Sequence, residues 1–424
     1  MPVLARDNAS SQGRLIELPW GAWYGDGYHE IRLPANWTID VLAPQSSAAC
    51  SAAAINDALS QPRGSPSLEE LAADCKSVCL VVDDLARPTR AAAILQPLLE
   101  RLHQFGIAEE SIDIVVATGS HGELDSSQIG RKVGEEIARS YRTQCHDCRG
   151  DLALTGITYG DRELCINRTF IEADLKIAIG CVLPHSFAGY SGGAKMILPG
   201  LADLPATARS HKFVQLGLRG GSDPNENRFR TEAEDIARRL GLRFAVCVVT
   251  NLSRDSSAIY AGDPVSAHRA ACADAQEAYA TNIRDDYNVA VLNAYPKDID
   301  LVQADNVFVA LKTPGAPIIG TDGVYVLTTA ASQGIGHHGL FAPGGLSHRA
   351  PVKKRQLRDR ELWIYTPQIA ESDVRQLYWD GYPVFHDAES LHQALQNRFP
   401  EGTKCCVLPG APMQQVRDLR TRDD

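Results

Sequence analysis

The chain has little of what ties a protein to nucleic acid or to a membrane. Acidic residues outnumber basic ones, 52 to 42, and the longest basic run is the short Lys353-Lys354-Arg355. Without a basic patch, binding to nucleic acid is not expected. No stretch approaches the roughly 18 uninterrupted apolar residues of a membrane helix, and residues 1–13 lack the apolar segment of a signal peptide. We therefore expect a cytoplasmic protein that binds neither nucleic acid nor a membrane.

Several kinds of site and repeat are also missing. There is no internal repeat or low-complexity segment, and no glycine-rich run has the Walker A spacing. The eleven cysteines are an odd number, and Cys79, Cys181 and Cys247 lie inside apolar runs. These cysteines are expected to be reduced thiols. The pair Cys145 and Cys148 has no second CxxC or histidine pair nearby, so a zinc site is not favoured.

Short apolar runs alternate with helical patterns along much of the chain. The runs that predict buried strands are Ser77–Asp83, Ile112–Thr118, Leu175–Leu183, Phe244–Thr250, Val289–Asn293 and Val324–Thr328. The patterns that predict helices include Thr89–Phe105, Gln128–Tyr141 and Glu232–Leu240. Continuous apolar runs are typical of parallel strands that are buried on both faces. The alternation therefore predicts an α/β fold with mostly parallel sheets flanked by helices.

A chain of 424 residues is expected to form two domains. The alanine-rich stretch Pro264–Arg284 predicts a long helix that links two halves. We accordingly predict an N-terminal α/β domain over residues 1–280 and a C-terminal α/β domain over residues 281–424. In open α/β sheets, ligands bind at the carboxyl ends of the strands, where the notable residues of the first half fall.

The densest motif follows the predicted strand that ends at Leu183. Leu183–Gly200 reads LPHSFAGYSGGAKMILPG and contains His185 and Lys195 among several glycines. Glycines let backbone N–H groups approach an anion, and a nearby lysine can supply a charge or an amine nucleophile. The simpler alternative is a tight turn with a surface lysine. His211 follows Lys195 by sixteen residues, and by itself fits a helix surface or cap as well as a metal ligand.

Polar residues follow two more predicted strands. VVDDLARPT contains Asp84 and Arg87, and ATGSHG contains His121. The arginine could bind a carboxylate in a bidentate fashion, and two histidines at one sheet edge could act as acid and base. The local alternatives are an aspartate N-cap paired with the arginine, and a histidine that caps the next helix. In the second half, NAYPKDIDLVQADN offers Gln303 as a substrate contact.

In this order and spacing, the segments resemble the lactate racemase family of nickel-pincer-nucleotide racemases and epimerases of 2-hydroxy acids. The resemblance covers residues 80–335 and depends most on the run PHSFAGYSGGAK followed by His211. It implies a pyridinium-3-thioamide-5-thiocarboxylic acid mononucleotide, bound covalently to Lys195, that holds Ni(II) with His211. Sulfur and imidazole donors suit nickel. The cofactor contacts that the resemblance implies are Asp84, Leu85, Ala86, Arg87 and Pro199.

The resemblance also implies a reaction and its partners. His121 and His185 would stand on opposite faces of the substrate and alternate as base and acid. Removal of the hydroxyl proton would help the C2 hydrogen leave as hydride, which gives a planar 2-oxo acid. Return of the hydride to the other face of this oxo acid would invert C2. Arg87, Gln303 and Asn306 would contact the substrate in a cleft between the domains. Maturation would require the enzymes that make the cofactor.

One segment departs from the pattern of the lactate-specific members. They carry Lys three residues after the glutamine and Tyr just before it, whereas this chain has Asn306 and Val302. A bulkier, aromatic or polyhydroxy acid is therefore a better candidate substrate than lactate. Two other functions remain open: a hydrolase or lyase without this cofactor, or with another metal, that uses the same histidines, and a non-catalytic homologue that binds a nucleotide or metal.

Overall fold

The computed structural model describes residues 13–45, 47–312 and 317–420. The strands are, in chain order, β1 (Arg14–Trp20), β2 (Gly27–Leu33), β3 (Thr38–Val41), β4 (Val78–Asp83), β5 (Ile112–Ala117), β6 (Arg142–Cys145), β7 (Leu152–Tyr159), β8 (Arg162–Asn167), β9 (Leu175–Cys181), β10 (Pro184–His185), β11 (Gly189–Tyr190), β12 (Leu242–Thr250), β13 (Ser256–Gly262), β14 (Ala280–Ile283), β15 (Tyr287–Asn293), β16 (Ile319–Thr328), β17 (Glu361–Tyr365), β18 (Val384–Phe385), β19 (Lys404–Leu408) and β20 (Gln415–Asp418).

The helices lie between these strands. The α-helices are α1 (Ala52–Ser60), α2 (Leu68–Ala72), α3 (Ala92–Gln104), α4 (Ser126–Val133), α5 (Glu135–Ser140), α6 (Arg168–Glu172), α7 (Leu204–His211), α8 (Arg228–Arg239), α9 (Pro264–Ala278), α10 (Leu301–Ala304), α11 (Glu371–Val374) and α12 (Ala388–Arg398). Short 3₁₀ helices span Glu109–Ser111, Gly193–Met196, Lys212–Leu216, Asp305–Lys312, Arg355–Leu357 and Ala411–Met413.

The chain folds into two units, and the first strands belong to the unit formed by the C-terminal part. One unit is Ser47–Ala278, and the other combines the described residues before position 46 with those from Tyr279 onward. This division differs from the predicted domains 1–280 and 281–424. The physical reason is strand pairing, because β3 lies parallel to β19 and extends the C-terminal sheet. The hairpin of β1 and β2 adds its apolar face to the same core.

The unit Ser47–Ala278 contains a six-stranded sheet in the order β13-β12-β9-β4-β5-β6. All neighbours are parallel except β13, which runs antiparallel to β12. Every residue of β4 and β9 is buried, as a strand covered on both faces requires. One hydrophobic cluster includes residues of α1 to α4, and another, on the opposite face, includes residues of α6 to α8 and the β7–β8 hairpin.

The other unit contains a sheet in the order β18-β17-β16-β15-β19-β3, in which every pair is parallel. Hydrophobic clusters again cover both faces of this sheet. The predicted α/β fold with mostly parallel sheets flanked by helices is therefore confirmed. All six strands predicted from apolar runs form, with ends that differ by a few residues.

Two predicted helices differ from the structure. The pattern over Gln128–Tyr141 forms α4 and α5 instead of one helix, and the break falls at Gly134, whose φ is +95°. The helix predicted over Pro264–Arg284 ends at Ala278, because Ala280–Ile283 pairs as β14 with β20. Each of the eleven cysteines is a free thiol, as predicted. Among the described residues, no helix is both long and apolar enough to cross a bilayer.

Candidate active site

Three of the predicted site residues follow neighbouring strands of one sheet. Asp84 follows β4, His121 follows β5 and His185 follows β9, and these strands are adjacent and parallel. Their carboxyl ends therefore meet at the same edge of the sheet. The edge lies entirely within the unit Ser47–Ala278.

Asp84 and His121 form a hydrogen-bonded pair. The Nδ1 of His121 contacts the Oδ2 of Asp84. The loop that carries His121 is fixed at its backbone, since His121 N–H donates to the Thr118 carbonyl at 2.9 Å and Gly119 N–H donates to that of Gly200 at 3.0 Å. If Nδ1 carries the proton that the carboxylate accepts, Nε2 is the nitrogen able to take up a proton. A carboxylate orients the histidine base of a Ser-His-Asp triad in the same way.

The surroundings of Asp84 keep its carboxyl ionised. Burial raises its pKa, but the charge and hydrogen bond of His121 and the charges of Arg87 and Lys132 outweigh burial and lower the pKa to about 2. A carboxylate that is buried and ionised stabilises a positive charge on its partner more strongly than an exposed one would. His121 is thus placed beside a permanent negative charge.

His185 and Lys195 lie on the glycine-rich segment after β9. The two-residue strand β10 pairs with β11, so that His185 faces Gly189 in the register. Gly192 adopts a φ of +74°, and a Cβ there would lie 3.0 Å from the Cys181 carbonyl oxygen. This glycine allows the chain to turn tightly back against the end of β9. Lys195 then lies on the 3₁₀ helix Gly193–Met196, partly buried.

Two side chains from later helices donate hydrogen bonds to the backbone of this segment. Arg230 on α8 is fully buried, and its guanidinium donates to the carbonyls of Gly192 at 2.9 Å and of Tyr190. His268 on α9 donates from Nε2 to the carbonyl of Ser191 at 2.9 Å. The loop that carries Lys195 is therefore held in shape by hydrogen bonds to its backbone.

His211 ends α7 with an imidazole suited to a metal. Its Nδ1 lies 2.8 Å from the Thr207 carbonyl, which can only accept, so Nδ1 carries the hydrogen. In this tautomer, Nε2 is the nitrogen whose lone pair a metal can bind. Burial, with a smaller contribution from the charges of Lys195 and His121, lowers the pKa of His211 to about 4, although the hydrogen bond to the Thr207 carbonyl raises it. His211 is therefore neutral at physiological pH.

An aromatic ring joins the two histidines of this region. Phe187 is buried and packs edge-on against His185, with ring centroids 4.7 Å apart, and against His211, at 5.0 Å. The charges of Lys195 and His121 both contribute to the lowered pKa of His211. The structure thus brings Asp84, His121, His185, Lys195 and His211 into one region, as the sequence predicted.

The remaining predicted residues fall into two groups. Leu85, Ala86 and Pro199 are buried beside the same sheet edge, and Arg87 is partly buried in the loop after β4. Gln303 and Asn306 belong to the other unit, where the Nδ2 of Asn306 donates to the backbone carbonyl of Gln303 at 2.8 Å.

The protein supplies few metal donors by itself. Within the described ranges, no group of three or more His, Cys, Asp and Glu side chains is arranged to hold a metal ion. A metal held at His211 would therefore be bound by fewer than three such side chains of the described ranges.

Three residues that shape the site were not predicted from the sequence. Phe187 lies inside the recognised motif but resembles an ordinary core residue there, and Thr207 acts only through its backbone carbonyl. Lys132 lies on α4 amid polar residues, where the sequence pattern indicates a solvated lysine, yet it is fully buried. No motif in a single sequence would have identified them.

Comparisons with known proteins agree with the predicted resemblance. The family model of the lactate racemase N-terminal domain matches residues 24–218. The lactate racemases of Thermoanaerobacterium thermosaccharolyticum and Lactiplantibacillus plantarum are each 27% identical to this chain over 292 residues. These alignments cover 68% of this chain and 67% and 68% of the relatives.

Solved structures share the fold. The lactate racemase apoprotein from T. thermosaccharolyticum superposes with a TM-score of 0.75 at 23% identity, covering 95% of this chain and 100% of that one. A protein from Thermotoga maritima superposes with a TM-score of 0.67 at 16% identity, covering 88% and 100%. With the domain match and the two relatives, the resemblance to the lactate racemase family predicted from the sequence is confirmed.

Proposed function

We propose that this chain is a racemase or epimerase that inverts C2 of a 2-hydroxy acid, using a nickel-pincer nucleotide tethered to Lys195. The observation that carries the proposal is the gathering of an Asp84–His121 pair, a lysine and a neutral histidine at one sheet edge. The two relatives compared above are lactate racemases.

The residues present fit the cofactor that the family implies. His211 has its Nδ1 hydrogen bonded to a backbone carbonyl, and its neutral imidazole offers the nitrogen donor that nickel accepts. Lys195 would hold the nucleotide through a thioamide, and Pro199 and the segment Asp84–Arg87 would contact it. When bound, the cofactor would supply an electron-poor pyridinium ring that accepts the C2 hydrogen as hydride.

The chain's own residues would move the protons. His121 would take the hydroxyl proton at Nε2, while the Asp84 carboxylate stabilises the imidazolium that forms. His185 would return a proton on the other face and would act as the base in the reverse direction. A positioned acid or base of this kind contributes about 10²–10⁴-fold to the rate.

Substrate recognition would use cationic and amide groups. The Arg87 guanidinium is the group best suited to bind the substrate carboxylate, because two of its N–H groups match two carboxylate oxygens. Gln303 and Asn306, which contact each other, stay predicted substrate contacts. Because Asn306 and Val302 replace the lysine and tyrosine of lactate-specific members, we propose a 2-hydroxy acid other than lactate.

The test is intact-protein mass and nickel content after co-expression with the enzymes that make the cofactor. Wild-type protein should carry a nucleotide-sized adduct and stoichiometric nickel. Lys195→Ala should lose both, and His211→Ala should keep the adduct and lose nickel. Lys212→Ala is the matched control, because this exposed lysine adjoins His211 and should change neither quantity.

Two results would contradict the proposal. An adduct that persists in Lys195→Ala would refute the tether, and wild-type protein without adduct or nickel would favour a hydrolase, a lyase or a non-catalytic binding protein. Incubation of loaded enzyme with a panel of enantiopure 2-hydroxy acids, followed by chiral chromatography, would then identify the substrate by its loss of optical purity.

A further inference from the structure

A fully buried lysine contacts the loop that carries Asp84. The Lys132 side chain is 0% exposed, and its Nζ lies 2.5 Å from the Oδ1 of Asp83. The same ammonium donates to the Thr89 carbonyl at 2.8 Å and approaches that of Arg87 at 3.4 Å. Lysine is rarely buried completely unless it is paired.

Asp83 connects this lysine to the sheet. Its Oδ2 accepts from the Thr89 hydroxyl at 2.7 Å and from the Cys181 N–H at 2.9 Å. The carboxylate therefore joins the ends of β4 and β9 to the far end of the loop that contains Asp84 and Arg87. Both ends of this loop are fixed by one buried ion pair.

We propose that Lys132 is a positioning residue, which together with Asp83 and Thr89 fixes the segment 84–87 so that Asp84 orients His121. This proposal rests on the proposed function only in taking His121 as the base. Lys132 follows His121 by eleven residues, on the helix α4 that the His121 loop leads into, so one residue constrains both sides of the Asp84–His121 pair.

Charge supports the same role. Besides its contacts to the loop, Lys132 is one of the cations that lower the pKa of Asp84, against the effect of burial. A neutral side chain at position 132 would remove this charge and release the carbonyls of Arg87 and Thr89. The loop would then no longer hold the Asp84 carboxylate against His121.

The experiment compares variants that leave no unpaired buried charge. Lys132→Met alone would strand the Asp83 carboxylate and could prevent folding. The double variant Lys132→Met/Asp83→Asn removes both charges together, and replacement of a buried ion pair by neutral groups is often tolerated. Lys176→Met is the matched control, because Lys176 is also buried but donates to Ala173 near the amino end of β9.

The first readout uses the apoprotein, so that it does not depend on the cofactor or on turnover. Nitrogen-15 NMR of the His121 ring should show an Nδ1–H held by Asp84 in the wild type and in Lys176→Met. In the double variant, this resonance should be lost or should exchange with water much faster. In the loaded enzyme, kcat should fall by about 100-fold, the loss typical of a slightly misplaced catalytic group, while KM changes little.

The inference would be overturned by a folded double variant whose His121 resonance and kcat match the wild type. It would also be overturned if Lys176→Met caused the same loss, since the effect would then be general loosening of the fold. If wild-type protein neither carries the cofactor nor racemises any acid, the proposed function fails. The apoprotein resonance would still decide the role of Lys132.

Discussion

Replacement of Asp84 by asparagine should show how much the ionised Asp84 carboxylate contributes to the free energy of unfolding. The pKa of Asp84 falls from an ordinary 3.8 to about 2, although burial raises it, because His121, Arg87 and Lys132 favour the charged form. A shift of this size corresponds to roughly 2 kcal/mol of free energy of unfolding. Because the folded pKa is the lower one, this stability is fully present above pH 4 and is lost as the pH falls towards 2.

The assay is urea unfolding of wild-type and Asp84→Asn apoprotein at pH 7, 5 and 3. The variant should lose roughly 2 kcal/mol at pH 7 and about half of that at pH 3, where the wild-type carboxylate contributes less. Asp113→Asn is the control for which the change in the free energy of unfolding should have the opposite sign. The reason is that burial raises the pKa of the Asp113 carboxyl, although Arg142 lowers it. In the loaded enzyme, Asp84→Asn should also lower kcat by about 10²–10⁴-fold.

Two results would refute this reasoning about Asp84. Equal urea midpoints for variant and wild type at pH 7 would mean that the carboxylate stabilises nothing in the folded state. A difference that grows as the pH falls would mean that the folded pKa is raised, and that burial outweighs His121.

The other predictions concern His185 and Phe187. His185→Ala should keep the adduct on Lys195 but lose interconversion of the enantiomers, measured by chiral chromatography, and near-normal turnover would exclude it as the second acid/base group. Phe187→Ala should lower the free energy of unfolding by about 3–5 kcal/mol, as truncation of a buried phenylalanine usually does, and should lower nickel content because the ring supports His211; unchanged urea midpoint and nickel content would contradict this role.

The sheets were predictable because buried parallel strands are continuous apolar runs, and β4, β5, β9, β12, β15 and β16 all have this pattern. The position of the N-terminal strands was not predictable. β3 has only four residues, none of them fully buried, and it joins the sheet by pairing with β19 near the other end of the chain. Such a pairing leaves no local pattern in the sequence.

The placement of the candidate site residues was predictable where they lie in a motif. His121, His185, Lys195 and His211 fall at recognisable places in motifs, and the structure brings them together at one sheet edge. Lys132 could not be predicted, because its role comes from contact with Asp83 and two backbone carbonyls. A single sequence gives no sign of which lysine on a polar helix turns inward.

Arg230 limits how the glycine-rich segment can be transferred to another protein. Its guanidinium reaches back to carbonyls of Tyr190 and Gly192 from a helix about forty residues downstream. The run PHSFAGYSGGAK therefore does not hold its conformation by itself. If the same sequence were transferred to another α/β protein, it would lack the hydrogen bonds from Arg230 that hold its backbone in shape. A protein engineer who moves this lysine would have to move the arginine and its helix with it.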